Sequence, residues 1–175
     1  MYKKQLMVLL VFFTSLGHAS FDGRVGPVST GEILIRLVIK QGIQISNLDD
    51  IVISINSPAR SDVTVTQRFC ISSNTDGLYS ITGFSDRGGS LPYSISSASG
   101  DQIDFKLYFH SNLANTIGDE LIPNVPSPRY PLEQNGVNCN GQNNAEIALT
   151  IPSTEINKAT DQEYRGFLNL TVAIE

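Results

Sequence analysis

The sequence contains very few of the side chains that usually carry out catalysis or bind metal ions. It has two histidines and two cysteines, and His18 falls in an N-terminal segment that we expect to be removed. Nucleophilic catalysis needs a serine or cysteine within reach of a general base, and zinc needs cysteines or histidines at ligand spacing. His110 ends a strand pattern without such neighbours, and Asp49 and Asp50 are typical of a turn. We therefore expect that the protein is not an enzyme, with no catalytic residue, no cofactor and no metal site.

Long apolar runs are also missing. The run at residues 6–13 has eight residues, whereas a helix that crosses a membrane needs about 20. Two basic residues, Lys3 and Lys4, precede this run, and the small-x-small sequence Gly17-His18-Ala19 follows it. This arrangement is typical of a secretory signal peptide over residues 1–19. We expect an exported mature chain that has no direct membrane span.

Basic residues are scarce relative to acidic ones. Without residues 1–19, the chain keeps 12 − 2 = 10 Lys+Arg against 17 Asp+Glu, a formal net charge of −7. Nucleic acids and anionic membrane surfaces attract basic proteins, so we expect neither as a partner. The remaining 175 − 19 = 156 residues are enough for one domain with a proper core.

The two cysteines, Cys70 and Cys139, both belong to the mature chain. An even number of cysteines in an oxidising compartment favours an intramolecular disulfide over two free thiols. On the loop-entropy estimate, closing a loop of about 70 residues constrains the unfolded chain by roughly 4 kcal/mol. The sequence therefore predicts a Cys70–Cys139 disulfide.

Helical periodicity is absent, and strand-like alternation of apolar and polar residues takes its place. The alternating segments are separated by Gly, Pro, Asn and Ser, which favour turns. They lie at residues 51–55, 63–71, 78–84, 91–95, 103–109, 145–151 and 164–174. The pattern predicts an antiparallel, all-β sandwich over residues 41–175. Residues 20–29 are aperiodic and predict a flexible leader, and residues 111–144 predict a long connection with four prolines.

The segment 30–40 between the leader and the sandwich has its own alternation. Four aliphatic residues share one face of the strand that it predicts, namely Ile33, Ile35, Leu37 and Ile39. Leu34, Arg36, Val38 and Lys40 lie on the other face. Such a strand needs a sheet to pair with, in its own molecule or in a neighbour.

Three segments resemble pilin subunits of the chaperone/usher type, closest to the archaic branch with the spore coat protein U domain. The first is the signal peptide followed by T-G-E-I-L-I-R-L-V-I. The second is the ending E-Y-R-G-F-L-N-L-T-V-A-I-E, which is similar to the Tyr-x-x-x-Leu-x-Leu-x-Val of the family, and the third is L-P-Y-S-I in mid-chain. The chain departs from the family in its first cysteine, because Cys70 lies far from the N-terminal strand that a cysteine usually follows.

The resemblance implies a fold and a mechanism. It implies an incomplete immunoglobulin-like sandwich whose missing strand is supplied in trans, first by a periplasmic chaperone and then by the next subunit. The donor side chains would be Ile33, Ile35, Leu37 and Ile39 of segment 30–40. The acceptor groove would be lined by Leu168, Leu170 and Val172. Neighbouring pilin subunits and an outer-membrane usher would be further partners, and the chain would pass through the periplasm into a surface fimbria that supports adhesion or biofilm formation.

Two other interpretations remain open. Segment 30–39 could be the first strand of a self-contained secreted sandwich that binds carbohydrates or surfaces, with the Asn-rich loop near Cys139 as the contact. A hydrolase with an unrecognised site is the other alternative.

Overall fold

The computed structural model describes residues 23–55, 58–85, 92–114 and 118–175. The chain divides into two units, residues 1–39 and residues 40–175. Residues 23–29 are exposed and contain no strand or helix. The predicted signal peptide, residues 1–19, and the first residues of the leader lie outside the described residues.

The second unit is an all-β structure, which confirms the predicted fold class. Its described residues form nine strands and one short α-helix. The strands are β1 Ile43–Ser46, β2 Val63–Ser73, β3 Gly77–Ser85, β4 Tyr93–Ser96, β5 Gln102–His110, β6 Asp119–Glu120, β7 Tyr130–Leu132, β8 Ala145–Ile151 and β9 Leu168–Ile174. The helix α1 is Ser153–Lys158, and a short 3₁₀ turn spans Val137–Gly141.

The strands form two antiparallel sheets. The larger sheet has the order β1-β2-β8-β5-β4, with β6 paired to β5, and the smaller sheet has the order β7-β3-β9. In an immunoglobulin sandwich, strands A, B, E and D form one sheet, and C, F and G form the other. Strands β1, β2, β8 and β5 correspond to A, B, E and D, while β3 and β9 correspond to C and F. The fold is therefore immunoglobulin-like.

The core lies between the two sheets and is rich in aromatic side chains. Tyr130 packs against Phe109 with a centroid distance of 5.0 Å and against Tyr79 at 5.6 Å. The Tyr93 ring lies against the backbone of β3 at Gly83, where an added Cβ would lie 2.4 Å from the Tyr93 hydroxyl oxygen. A side chain at position 83 would displace this buried ring, which explains a glycine inside a strand.

The helix α1 was not predicted from the sequence. It has six residues, and periodicity does not reveal a helix this short. The backbone N–H of Ser153 donates a hydrogen bond to the carboxylate of Asp62 at 2.8 Å. Ile156 is buried against the core, so tertiary contacts hold this turn of helix in place.

In the single chain, the segment predicted as a strand at residues 30–39 has one bridge position, at Glu32, and forms no strand after it. Residues 33–42 contain neither strand nor helix. A strand gains its hydrogen bonds from a neighbouring strand, so alternation alone does not create one. Pairing of this segment with a second molecule stays a prediction, because it involves a chain other than this one.

Candidate functional site

Strand β9 presents a half-covered apolar face. Its residues alternate between half-buried and exposed along the whole strand. The half-buried residues face the core and are Leu168, Leu170, Val172 and Ile174. Core residues on central strands are fully covered, as Ile81 of β3 is at 0 % exposure. The structure thus places the three predicted groove residues together on one face, and it adds Ile174 to them.

One edge of β9 pairs with β3 over the full length of the strand. Among the described residues, no strand pairs with its other edge. The backbone N–H and C=O groups along that edge therefore have no partner strand. An unpaired edge of this kind is a template for adding another strand.

A second stretch with the same character follows β1. Asn47 has a left-handed backbone, with φ of 61°, and β1 ends directly before it. Residues 47–55 form no strand, yet Ile51, Ile53 and Ile55 alternate with exposed residues and pack against the core. Their incomplete burial, like that of β9, leaves apolar surface for a further element to cover.

The other outer strands are shorter or blocked. Strand β7 has three residues with Pro131 at its centre, and proline removes a hydrogen-bond donor from an edge. Beyond β7, the N–H groups of Asn124 and Ser127 each donate to the carbonyls of β3 at 2.9 Å. Strand β4 has four residues, and Ser96 exchanges two backbone hydrogen bonds with Arg165, each 2.9 Å. With seven residues, β9 is the longest outer strand of the two sheets.

Two hydrogen-bond clusters fix β9 at its ends. Before the strand, the Tyr164 hydroxyl donates to Asp101 at 2.5 Å and accepts from the N–H groups of Thr160 and Asp161, each at 3.0 Å. A tyrosine that returns to the backbone just before strand F is typical of immunoglobulin folds. The hydrogen bond from Tyr164, followed by those from Thr160, lowers the pKa of Asp101 to about 2.

At the other end, the backbone N–H of Glu175 donates to the Leu78 carbonyl at 2.9 Å. The carboxylate of Glu175 accepts a hydrogen bond from Ser80 at 2.7 Å and forms an ion pair with Arg129 at 3.2 Å. The open edge of β9 is therefore held in place at both ends. A preformed edge loses little conformational entropy when another strand adds to it.

The predicted donor residues belong to the first unit. Ile33, Ile35, Leu37 and Ile39 are between 76 and 87 % exposed, and Leu34 and Val38 on the opposite face are 74 and 62 % exposed. Six large aliphatic side chains within seven residues thus remain in contact with water. Burial of large aliphatic side chains is worth about 1.5–3 kcal/mol each, so this segment favours an apolar partner.

The predicted disulfide is present. Cys70 and Cys139 are joined, with 5.9 Å between their Cα atoms, and both are buried. Cys139 lies in the 3₁₀ turn, where Asn138, Cys139 and Asn140 have consecutive left-handed φ values of 53°, 49° and 52°. Asparagine tolerates this conformation better than most residues, which accounts for the Asn-rich sequence without a binding role.

The sequence did not reveal the half-buried Ile51, Ile53 and Ile55 as part of the site. The alternation of apolar and polar residues at 51–55 is visible in the sequence, but a strand covered by a neighbour and an uncovered one show the same alternation. The described residues contain no group of three or more His, Cys, Asp or Glu that could hold a metal ion. In the same part of the chain, no helix is long and apolar enough to cross a membrane.

Comparison with known proteins adds no family assignment, because no family model and no curated protein matches the chain.

Proposed function

We propose that this chain is a structural subunit of a surface fibre that assembles by donor-strand exchange. In this proposal, residues 30–40 of one copy add to the open edge of β9 in the next copy. The observation that carries the proposal is that one chain contains both an uncovered, half-buried sheet edge and an unpaired aliphatic segment.

The two surfaces match in length and composition. Segment 33–39 and β9 each have seven residues, which corresponds to about 23 Å of extended chain. Four large aliphatic residues alternate along each of them. Burying the four donor side chains contributes on the order of 6–12 kcal/mol as an upper bound. Whole domains are stable by only about 5–15 kcal/mol, so this contribution decides whether a subunit is stable.

Charge favours the same pairing. The donor segment 30–40 carries Arg36, Lys40 and Glu32, a formal net charge of 2 − 1 = +1. Residues 41–175 contain 7 Lys+Arg and 15 Asp+Glu, a formal net charge of 7 − 15 = −8. A basic segment approaching an acidic body is steered by attraction, which increases the association rate more than the affinity.

The proposal includes the route by which a subunit with an uncovered edge survives before assembly. An unpaired apolar edge aggregates, so we infer that a periplasmic chaperone covers it and that an outer-membrane usher delivers it to the fibre. The disulfide is compatible with such an oxidising compartment. The finished fibre is cell-surface material that supports adhesion or biofilm formation.

The decisive experiment removes the donor and then supplies it in cis. We expect the chain without residues 20–40 to be unable to polymerise and to be prone to aggregation. The same chain with residues 30–40 attached after Glu175 through a flexible linker should be a soluble monomer. Its melting temperature should be clearly higher, as measured by circular dichroism and size-exclusion chromatography.

The matched control carries the attached segment with Ile35 and Leu37 both changed to Asp. It should behave like the truncated chain, because charged side chains do not enter an apolar groove. A truncated chain that is already monomeric and equally stable would instead indicate a self-contained secreted binding module.

A further inference from the structure

The two sheets leave a cavity at the end of the sandwich near the disulfide. It has a volume of about 530 Å³ and is lined by residues from the end of β2, the start of β3, β7 and the loops at 111–113 and 133–135. This volume is in the range of small-molecule binding sites, about 300–1,000 Å³. The cavity is separate from the inward face of β9, because none of the four inward residues of that strand lines it.

One largely buried tyrosine lines the cavity. Tyr79 is 4 % exposed and belongs to the cavity wall, and burial raises the pKa of its hydroxyl above the usual value of 10.0. The hydroxyl therefore stays protonated at neutral pH and can donate a hydrogen bond to a ligand in the cavity.

Further polar groups around the cavity are also available. Asn135 and Glu133 make no side-chain hydrogen bond that would occupy their cavity-facing groups among the described residues. The side-chain oxygen of Asn112 accepts a hydrogen bond from the N–H of Ala114 at 2.9 Å, which leaves its amide N–H₂ as a donor. By contrast, Asn144 is fully used, because its amide both accepts from and donates to the backbone of Ile71 at 2.9 Å.

The composition of the walls restricts the ligand class. The lining contains one carboxylate, Glu133, and no lysine or arginine, so an anion is disfavoured. A purely apolar ligand would leave hydroxyl and amide groups without partners. Donors and acceptors are mixed, and Leu113, Pro131 and Leu132 add an apolar wall. A neutral molecule with several hydroxyl groups and an apolar face fits both the polar groups and the apolar wall of the cavity.

We propose that this cavity binds a small neutral saccharide, with the Tyr79 hydroxyl and the Asn135 amide as its principal hydrogen-bonding groups. The site does not depend on strand exchange, because it lies within residues 40–175 and uses no residue of segment 30–40. It would give each subunit of a fibre its own weak sugar site. None of residues 138–140 in the Asn-rich turn lines the cavity.

The test is ligand-observed saturation-transfer NMR on the full mature chain, which works for monomers and fibres alike. The probes are glucose, galactose, mannose and N-acetylglucosamine, each at about 20 mM, enough to populate a site with a Kd near 1 mM. We expect saturation transfer to at least one of the four sugars. The absence of transfer to all four overturns the proposal.

The variants use a matched pair of buried tyrosines. Tyr79→Phe removes the hydroxyl of a residue that lines the cavity, whereas Tyr93→Phe removes a buried hydroxyl of a residue that does not line it. We expect Tyr79→Phe to weaken binding about 3- to 10-fold and Tyr93→Phe to leave it unchanged. Asn135→Ala, in an exposed loop, tests the same site without altering the core and should weaken binding similarly. Equal binding by all three variants and the unaltered chain contradicts the assignment.

Discussion

The two outer strands of the smaller sheet differ in how their edges are treated. Strand β7 has three residues with a central proline, and the chain that precedes it, at Asn124 and Ser127, hydrogen-bonds the same side of β3. Strand β9 has seven residues without proline, glycine or an inward-facing charge. Natural proteins protect edges that must not pair. The contrast within one sheet therefore supports the proposal that the β9 edge accepts a partner strand.

The largest expected effect comes from altering segment 30–40, the proposed donor for the open edge of β9. Changing Ile35 and Leu37 to Asp in the full chain removes two inward side chains worth about 3–6 kcal/mol together. We expect fibre assembly to fall at least about a hundredfold, as measured by light scattering and electron microscopy of the assembled protein.

The matched control for that variant changes Leu34 and Val38 to Asp on the opposite face of the same segment. In the proposed pairing this face points to solvent, so assembly should persist. If both double variants assemble equally well, the distinction between an inward and an outward face is wrong.

The next effect concerns the disulfide rather than the open edge of β9. Replacing Cys70 and Cys139 by Ala removes the disulfide, and we expect the free energy of unfolding to fall by about 2–5 kcal/mol. Chemical denaturation of the chain with residues 30–40 attached after Glu175 measures this loss. The attached strand should still be protected from hydrogen exchange, because the disulfide joins β2 to the 3₁₀ turn and neither cysteine belongs to β9. Loss of that protection would show that the open edge depends on the disulfide.

A smaller effect is expected at the anchor that precedes β9. The pKa of Asp101 is lowered from 3.8 to about 2 in the folded chain, so its charged form is the one that stabilises the fold. This contribution is fully present above the unfolded value of 3.8 and is lost as the pH falls towards 2.

Asp101→Asn should therefore flatten the decrease in melting temperature over this acidic range and lower the melting temperature at neutral pH. Asp104→Asn, on the neighbouring strand β5, is the control and should keep the pH dependence. An unchanged profile for Asp101→Asn would mean that the Tyr164 cluster does not secure β9.

The smallest effect tests the protected edge. Pro131→Val gives β7 an additional backbone N–H on its outer side, with little change in the core because residue 131 is exposed. We expect a change in stability of less than about 1 kcal/mol but faster self-association, followed by light scattering of the chain with the attached donor strand. Unaltered self-association would show that proline is not what keeps this edge unpaired.

Much of the fold could be predicted from local patterns. Alternation located β2, β5, β8 and β9, because a strand that faces a core repeats every two residues. The disulfide followed from having only two cysteines. The helix α1 could not be predicted, because it is too short to show a helical repeat of apolar residues. The Tyr164 anchor could not be predicted either, because its partner Asp101 is 63 residues away in the sequence.

The candidate site was only half predictable. Leu168, Leu170 and Val172 were expected at a groove and do face the core together, whereas Ile51, Ile53 and Ile55 were not assigned to it. Alternation indicates which face of a strand is apolar, but it does not indicate whether a neighbouring strand covers the edge.

The sequence by itself determined the all-β class, the inward faces of the strands and the cysteine pair, because each depends on residue type and local spacing. Only the tertiary structure decided which strands are outer ones, that β7 is blocked while β9 is open, and that Tyr79 faces a cavity. These properties arise from pairing between residues far apart in the chain, and hydrogen-bond partners at that distance leave no local period in the sequence. The same alternating pattern in segment 33–39 forms no strand in the single chain, since a strand requires an edge to pair with.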